Sequence, residues 1–179
     1  MPYLPEKLYA ELRRLSMFRD QLNEDRIRTI NRMHREMKIY FPEYKDALGK
    51  VDGAFSLELL KQAPFPDDLI ALGEDGIRRI WHDAKFRGRG YSRAGEILQY
   101  AKTSVGIKDG ATAGKTAVKW FVQKVLELDA ELAVIENQIN QKCQEIPHAG
   151  NILEISGIGE NTLKELVKVM EVHDLHFAE

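Results

Sequence analysis

One stripe constrains this chain more than any other feature. Val118, Phe121, Val125, Leu128, Leu132, Ile135 and Ile139 recur at alternating steps of three and four. A repeat averaging about 3.5 residues keeps apolar side chains along one edge of an α-helix. Glu127, Asp129, Glu131, Glu136 and Gln138 surround that edge, and Pro147 closes it. So narrow a seam cannot be buried by the helix that carries it and requires a second helix.

The chain itself offers a partner. Between Pro5 and Tyr40 there is no glycine or proline, and Leu8, Leu12, Leu15, Phe18, Leu22, Ile27, Ile30, Met33, Met37 and Tyr40 recur at helical spacing. Pro42 provides the stop. The other faces of this first rod carry Arg13, Arg14, Glu24, Arg28, Arg32 and Arg35, charges of both signs that read as a solvated face. Two rods then pair antiparallel within one chain; the same seam on a second copy is the other solution and makes an oligomer.

Between the rods the signals are shorter. Ser56 to Gln62 is a helical stub ended by Pro64 and Pro66, and Asp67 or Asp68 caps the start of DDLIALG. Ile77, Ile80, Trp81 and Ala84 share one face, and Ser92 caps a helix through Ala94, Ile97, Leu98 and Ala101 to Val105, ended by Gly106. Residues 108–114 are turn-like. No run alternates apolar and polar residues as a strand would. The expected class is all-α: a long antiparallel coiled-coil pair with a small helical insert and a C-terminal helix-hairpin-helix. The expected segments are the first rod at 1–48, a basic insert at 49–113, the second rod at 114–146 and the hairpin at 147–179.

That hairpin is the stretch ILEISGIGENTLKELV at 152–167. Gly157 and Gly159 lack a Cβ, so the backbone can take positive φ and a phosphate can approach it closely, while Ile158 pins the turn. The following helix, with Thr162 and Lys164 near its start, presents unpaired N–H groups outward. Such a corner positions a nucleic-acid backbone without reading bases. It equally serves as a packing corner: Glu160 competes for the same amides, and 151–179 holds six acids against Lys164 and Lys168.

A net charge of −2 means that any polyanion site must be local. The best local concentration is 78–102, where Arg78, Arg79, Lys85, Arg87, Arg89, Arg93 and Lys102 face only Asp83 and Glu96, a net of +5. Phe86 and Tyr91 are interleaved, so phosphate contact by Arg87, Arg89 and Arg93 with stacking on exposed bases is the functional expectation.

Chemistry is harder to find. Of the five histidines only His173 and His176 are close, without further ligands; Cys143 lacks a partner for a disulfide or a multi-cysteine site. Ser156 has no evident base, and AGKT at 113–116 lacks the upstream glycine of a phosphate loop. No cofactor, metal or catalytic residue is expected. No apolar run reaches the roughly 20 residues of a membrane span, and MPYLPEKLY does not read as a secretory signal, so the expected location is the cytoplasm.

Three stretches carry a resemblance. YFPEY at 40–44, LLKQAPFPDDLIALGEDGIRRIW at 59–81 and EIPHAGNILEISGIGENTL at 145–163 resemble bacterial insertion-sequence transposases. That family has an N-terminal RuvC-like acidic domain, a central helical linker and a C-terminal serine transposase domain. The resemblance implies a DNA recombinase that is oligomeric on DNA and, in some members, guided by a structured RNA. Its four acidic metal ligands would precede Met1 and its serine would follow the hairpin, so no catalytic residue transfers to this sequence; EVHDLHFAE at 171–179 departs from the family pattern. The expectation is a non-catalytic fragment for DNA binding and dimerisation through the seam. Two other expectations are a stand-alone coiled-coil interaction protein and a regulator left by a decayed element, neither binding nucleic acid.

Overall fold

The computed structural model describes residues 6–85 and 93–145. They form six helices and, among the described residues, no strand: α1 Glu6–Tyr40, α2 Tyr44–Leu48, α3 Ala54–Gln62, α4 Pro66–Asp83, α5 Ala94–Thr103 and α6 Ala111–Gln144. No described helix is long and apolar enough to cross a membrane. The chain divides into two compact units, Met1–Glu24 with Asp129–Glu179 and Asp25–Leu128. The hairpin at 147–179 lies outside the described residues.

The Asp25–Leu128 unit holds the large core. Met33 and Met37 of α1, Val118, Val122 and Val125 of α6, and Leu59, Leu60, Leu69, Ile77 and Ile97 of the intervening helices are buried in one cluster. α1 stops where expected, because Pro42 disfavours helical backbone at Phe41. Pro66 opens α4 at a position where its missing N–H costs nothing, and Asp68 Oδ2 accepts the Phe65 amide at 3.2 Å. Gly73 then breaks α4 with φ of 69° and ψ of 175°, turning the chain without the Cβ penalty.

Three local expectations change. α5 ends at Thr103, short of Val105, and residues 104–110 run non-helical beside the end of α1, with Ile107 N–H donating to Ile39 C=O at 3.0 Å. α6 begins at Ala111, so Gly114 sits inside a helix and not in a turn. The reason is contact: a Cβ on Gly114 would lie 2.3 Å from Tyr40 Cε2, so the ring occupies the space that only glycine leaves. On α1, Phe18 and Ile27 are exposed, whereas Ser16 and Thr29 are buried. Thr29 Oγ1 donates to Asp25 C=O at 2.8 Å, which satisfies its hydroxyl and lets its methyl face inward.

In the other unit, the described residues are 6–24 of α1 and 129–145. Leu8, Leu12 and Leu22 are buried there, as are Leu132, Ile135, Ile139 and Cys143. Lys142 Nζ meets Glu11 Oε2 at 3.1 Å, bringing the last turn of α6 beside the first turns of α1.

Candidate nucleic-acid interface

The seam residues are placed first. Val118, Val125, Leu128, Leu132, Ile135 and Ile139 are all buried, but Phe121 is half-buried and Val122 takes the fully buried position beside it. A strict heptad drifts against the 3.6-residue turn of a straight helix, and near Val118 the stripe follows the helix. One chain thus covers its own seam.

The basic insert is divided. Arg87 and Arg89 lie outside the described residues, as do Gly157, Ile158, Gly159, Thr162 and Lys164. Arg93 is described, and it serves the fold. Its Nη2 donates to the carbonyls of Asp46 and Ala47, each at 3.1 Å, and its Nε lies 3.6 Å from Glu96. Those carbonyls end α2, where a short helix leaves acceptors without internal partners. Arg78 pairs with Glu74 and with Asp75, Lys115 with Asp68 at 2.6 Å and Lys108 with Asp67 at 3.6 Å. Arg79 lines a groove of 370 Å³ together with Glu58 and Asp83. Of the described cations in 78–102, Arg78 and Arg93 therefore face carboxylates, whereas Arg79, Lys85 and Lys102 are exposed and make no ion pair with a described residue.

The uncompensated charge is elsewhere, on α1. Between positions 26 and 40 the exposed residues are Ile27, Arg28, Asn31, Arg32, Arg35, Lys38 and Ile39, with no acid among them. Arg28 reaches back to Asp25 at 3.2 Å. Arg32, Arg35 and Lys38 make no ion pair with a described residue. Of the acids that accompany them in sequence, Glu24 and Asp25 are exposed in the turn before the face, where Asp25 meets Arg28, and Glu36 is half-buried beside it. The buried edge of Thr29, Met33 and Met37 decides this, because it fixes which side of the helix meets water. Along the sequence, acids of the opposite sign mask this face; the steps 28, 32, 35 and 39 are the signal that marks it.

Behind the face His34 is half-buried, its Nδ1 2.6 Å from the hydroxyl of buried Tyr44. With Tyr44 donating, His34 is neutral and carries its proton on Nε2. Burial, then the nearby charges of Lys45 and Lys38, lower its pKa below the ordinary histidine value against an opposing pull from Asp52. Burial pushes the Tyr44 hydroxyl upward, so it stays protonated as a donor. Among the described residues no three histidine, cysteine or carboxylate side chains gather as a metal site.

No protein-family model matches this chain, and no match is found among curated proteins or solved structures.

Proposed function

We propose that this chain is a non-catalytic part of a DNA transposase, holding DNA and associating with a second copy during transposition in the cytoplasm. The observation that carries the reading is the acid-free cationic face of α1, in a chain whose net charge is −2. Like charges three and four apart repel by roughly 0.2–0.5 kcal/mol per pair. A row of phosphates reverses that cost. With no aromatic side chain among its exposed positions, the face suits backbone contact over base reading. A structured RNA presents the same phosphates and is the second nucleic-acid partner of this reading. The resemblance of the three stretches supplies the context of transposition, and the family's bond-breaking groups have no counterpart in them.

Self-association takes a form that the buried seam suggests. Leu132, Ile135 and Ile139 are covered within one chain, so a homodimer would use the outward Met17, Phe18 and Val134. The same three residues favour the second reading, a stand-alone interaction protein that docks a partner helix there.

Anisotropy of a labelled DNA duplex at rising salt separates the two. Log affinity should fall with log salt by about 0.9 per phosphate contacted, and replacing Arg32, Arg35 and Lys38 together by alanine should flatten that slope. Binding indifferent to salt and to these substitutions would leave the interaction-protein reading standing.

A further inference from the structure

The segment from Ser104 to Lys108 inverts the usual pattern of an extended chain. Side chains of such a segment alternate in direction, and the apolar ones ordinarily turn inward. Here the inward positions are Ser104 and Gly106. Ser104 Oγ donates to Glu43 Oε2 at 2.7 Å, and a Cβ on Gly106 would lie 2.1 Å from the Tyr40 carbonyl oxygen. Val105 and Ile107 point outward instead, 80% and 59% exposed.

The segment is also held firmly. Val105 N–H donates to Glu43 Oε1 at 3.1 Å, Gly106 N–H to Ser104 Oγ at 3.3 Å and Ile107 N–H to Ile39 C=O at 3.0 Å. Burial works to raise the Glu43 pKa, but the hydrogen bonds from Ser104 and Val105 outweigh it and lower the net value, so the clamp is ionised at neutral pH. A charged group thus fixes two β-branched side chains in water, an arrangement that gains nothing for the isolated fold.

Its position gives the reason. Ile39 follows Arg35 by one turn on the same face of α1, and its carbonyl holds Ile107. The cationic face therefore runs directly into an apolar ridge of Ile39, Ile107 and Val105. Lys102 and Lys108 flank the segment in sequence, both exposed, and line one cleft with Ile107 and with Asp67, which Lys108 meets at 3.6 Å. The occupant follows from that continuity: whatever seats on the ridge also meets Arg32, Arg35 and Lys38, which a polyanion neutralises and which a second copy of the same surface would set against like charges.

We infer that this ridge is a wedge: Val105 and Ile107 enter between base pairs of the DNA duplex whose phosphates lie on the Arg28–Lys38 face, unstacking one step and bending the duplex. The inference rests on the nucleic-acid reading above and deepens it. Aliphatic wedges that partly unstack a step are a recurrent way to kink DNA, and bending brings more phosphate onto the protein. A wedge must be rigid to act, which accounts for the clamp through Glu43.

The test uses the full chain and short DNA duplexes that carry 2-aminopurine at successive steps and a donor–acceptor pair at their ends. Binding should raise 2-aminopurine fluorescence severalfold and shorten the end-to-end distance. Val105→Ser with Ile107→Ser should abolish both signals while the slope of affinity against salt is unchanged; both sites are exposed, so the fold is not at risk. Binding without unstacking or bending overturns the wedge and leaves the phosphate face intact. Retention of both signals by the serine pair overturns it as well, as does loss of a dimer in that variant, which would assign the ridge to a second copy. Failure of the chain to bind duplex at all overturns the wedge together with the function it rests on.

Discussion

His34 shows how one side chain ties stability to pH. Its neutral imidazole accepts from Tyr44, and its folded pKa lies below the usual histidine value. Protonation therefore favours the unfolded chain. The contribution is fully present above the unfolded value of about 6.5 and is lost as pH falls through the lower folded value. Melting temperature measured from pH 7.5 to 5 should drop more steeply for the natural chain than for His34→Gln, whose amide can accept from Tyr44 without titrating. Parallel curves would show that His34 does not change its charge on unfolding. Gly114 acts at the same scale by what it lacks, since the Tyr40 ring fills the place of a side chain.

At the scale of the element, α6 obeys its own pitch before it obeys a heptad. Val122 is fully buried and Phe121 only half-buried. Val122→Asp should consequently cost more than Phe121→Asp, although Phe121 is the larger apolar residue. An unpaired carboxylate at a fully buried site has nowhere to be solvated, which places Val122→Asp among the severe substitutions, on the order of 3–5 kcal/mol. Chemical denaturation of both variants measures the difference; equal losses would return the stripe to a strict heptad. α2 illustrates a different dependence. Five residues make few internal bonds, and the two Arg93 hydrogen bonds to Asp46 and Ala47 supply donors for acceptors that the helix leaves open.

At the scale of the whole molecule, net charge and local charge disagree. The chain as a whole carries −2, which repels a polyanion, while the α1 face carries cations without acids. Replacing Arg32, Arg35 and Lys38 by alanine moves the net charge from −2 to −5. Replacing Lys50, Lys61 and Lys119 makes the same change at exposed positions outside α1. If phosphate binding is local, only the first set should flatten the salt dependence of duplex binding, by about 0.9 for each phosphate left without its cation. Equal flattening by the two sets would mean that bulk charge governs the association.

Whatever depends on short-range pattern could be read from the residues alone. The absence of glycine and proline between Pro5 and Pro42 set the first rod, the apolar repeat from Val118 to Ile139 set the second, and the lack of alternation excluded strands among what is now described. Direction and company came from the packed chain. Arg93, prominent in a basic cluster, spends its guanidinium on α2, and Arg32, Arg35 and Lys38, diluted by acids along the chain, share a face with no acid among the exposed residues between 26 and 40. Spacing along a helix is a local property of the backbone, whereas which side meets water is set only when Met33, Met37, Val118 and Val122 find one another in a core.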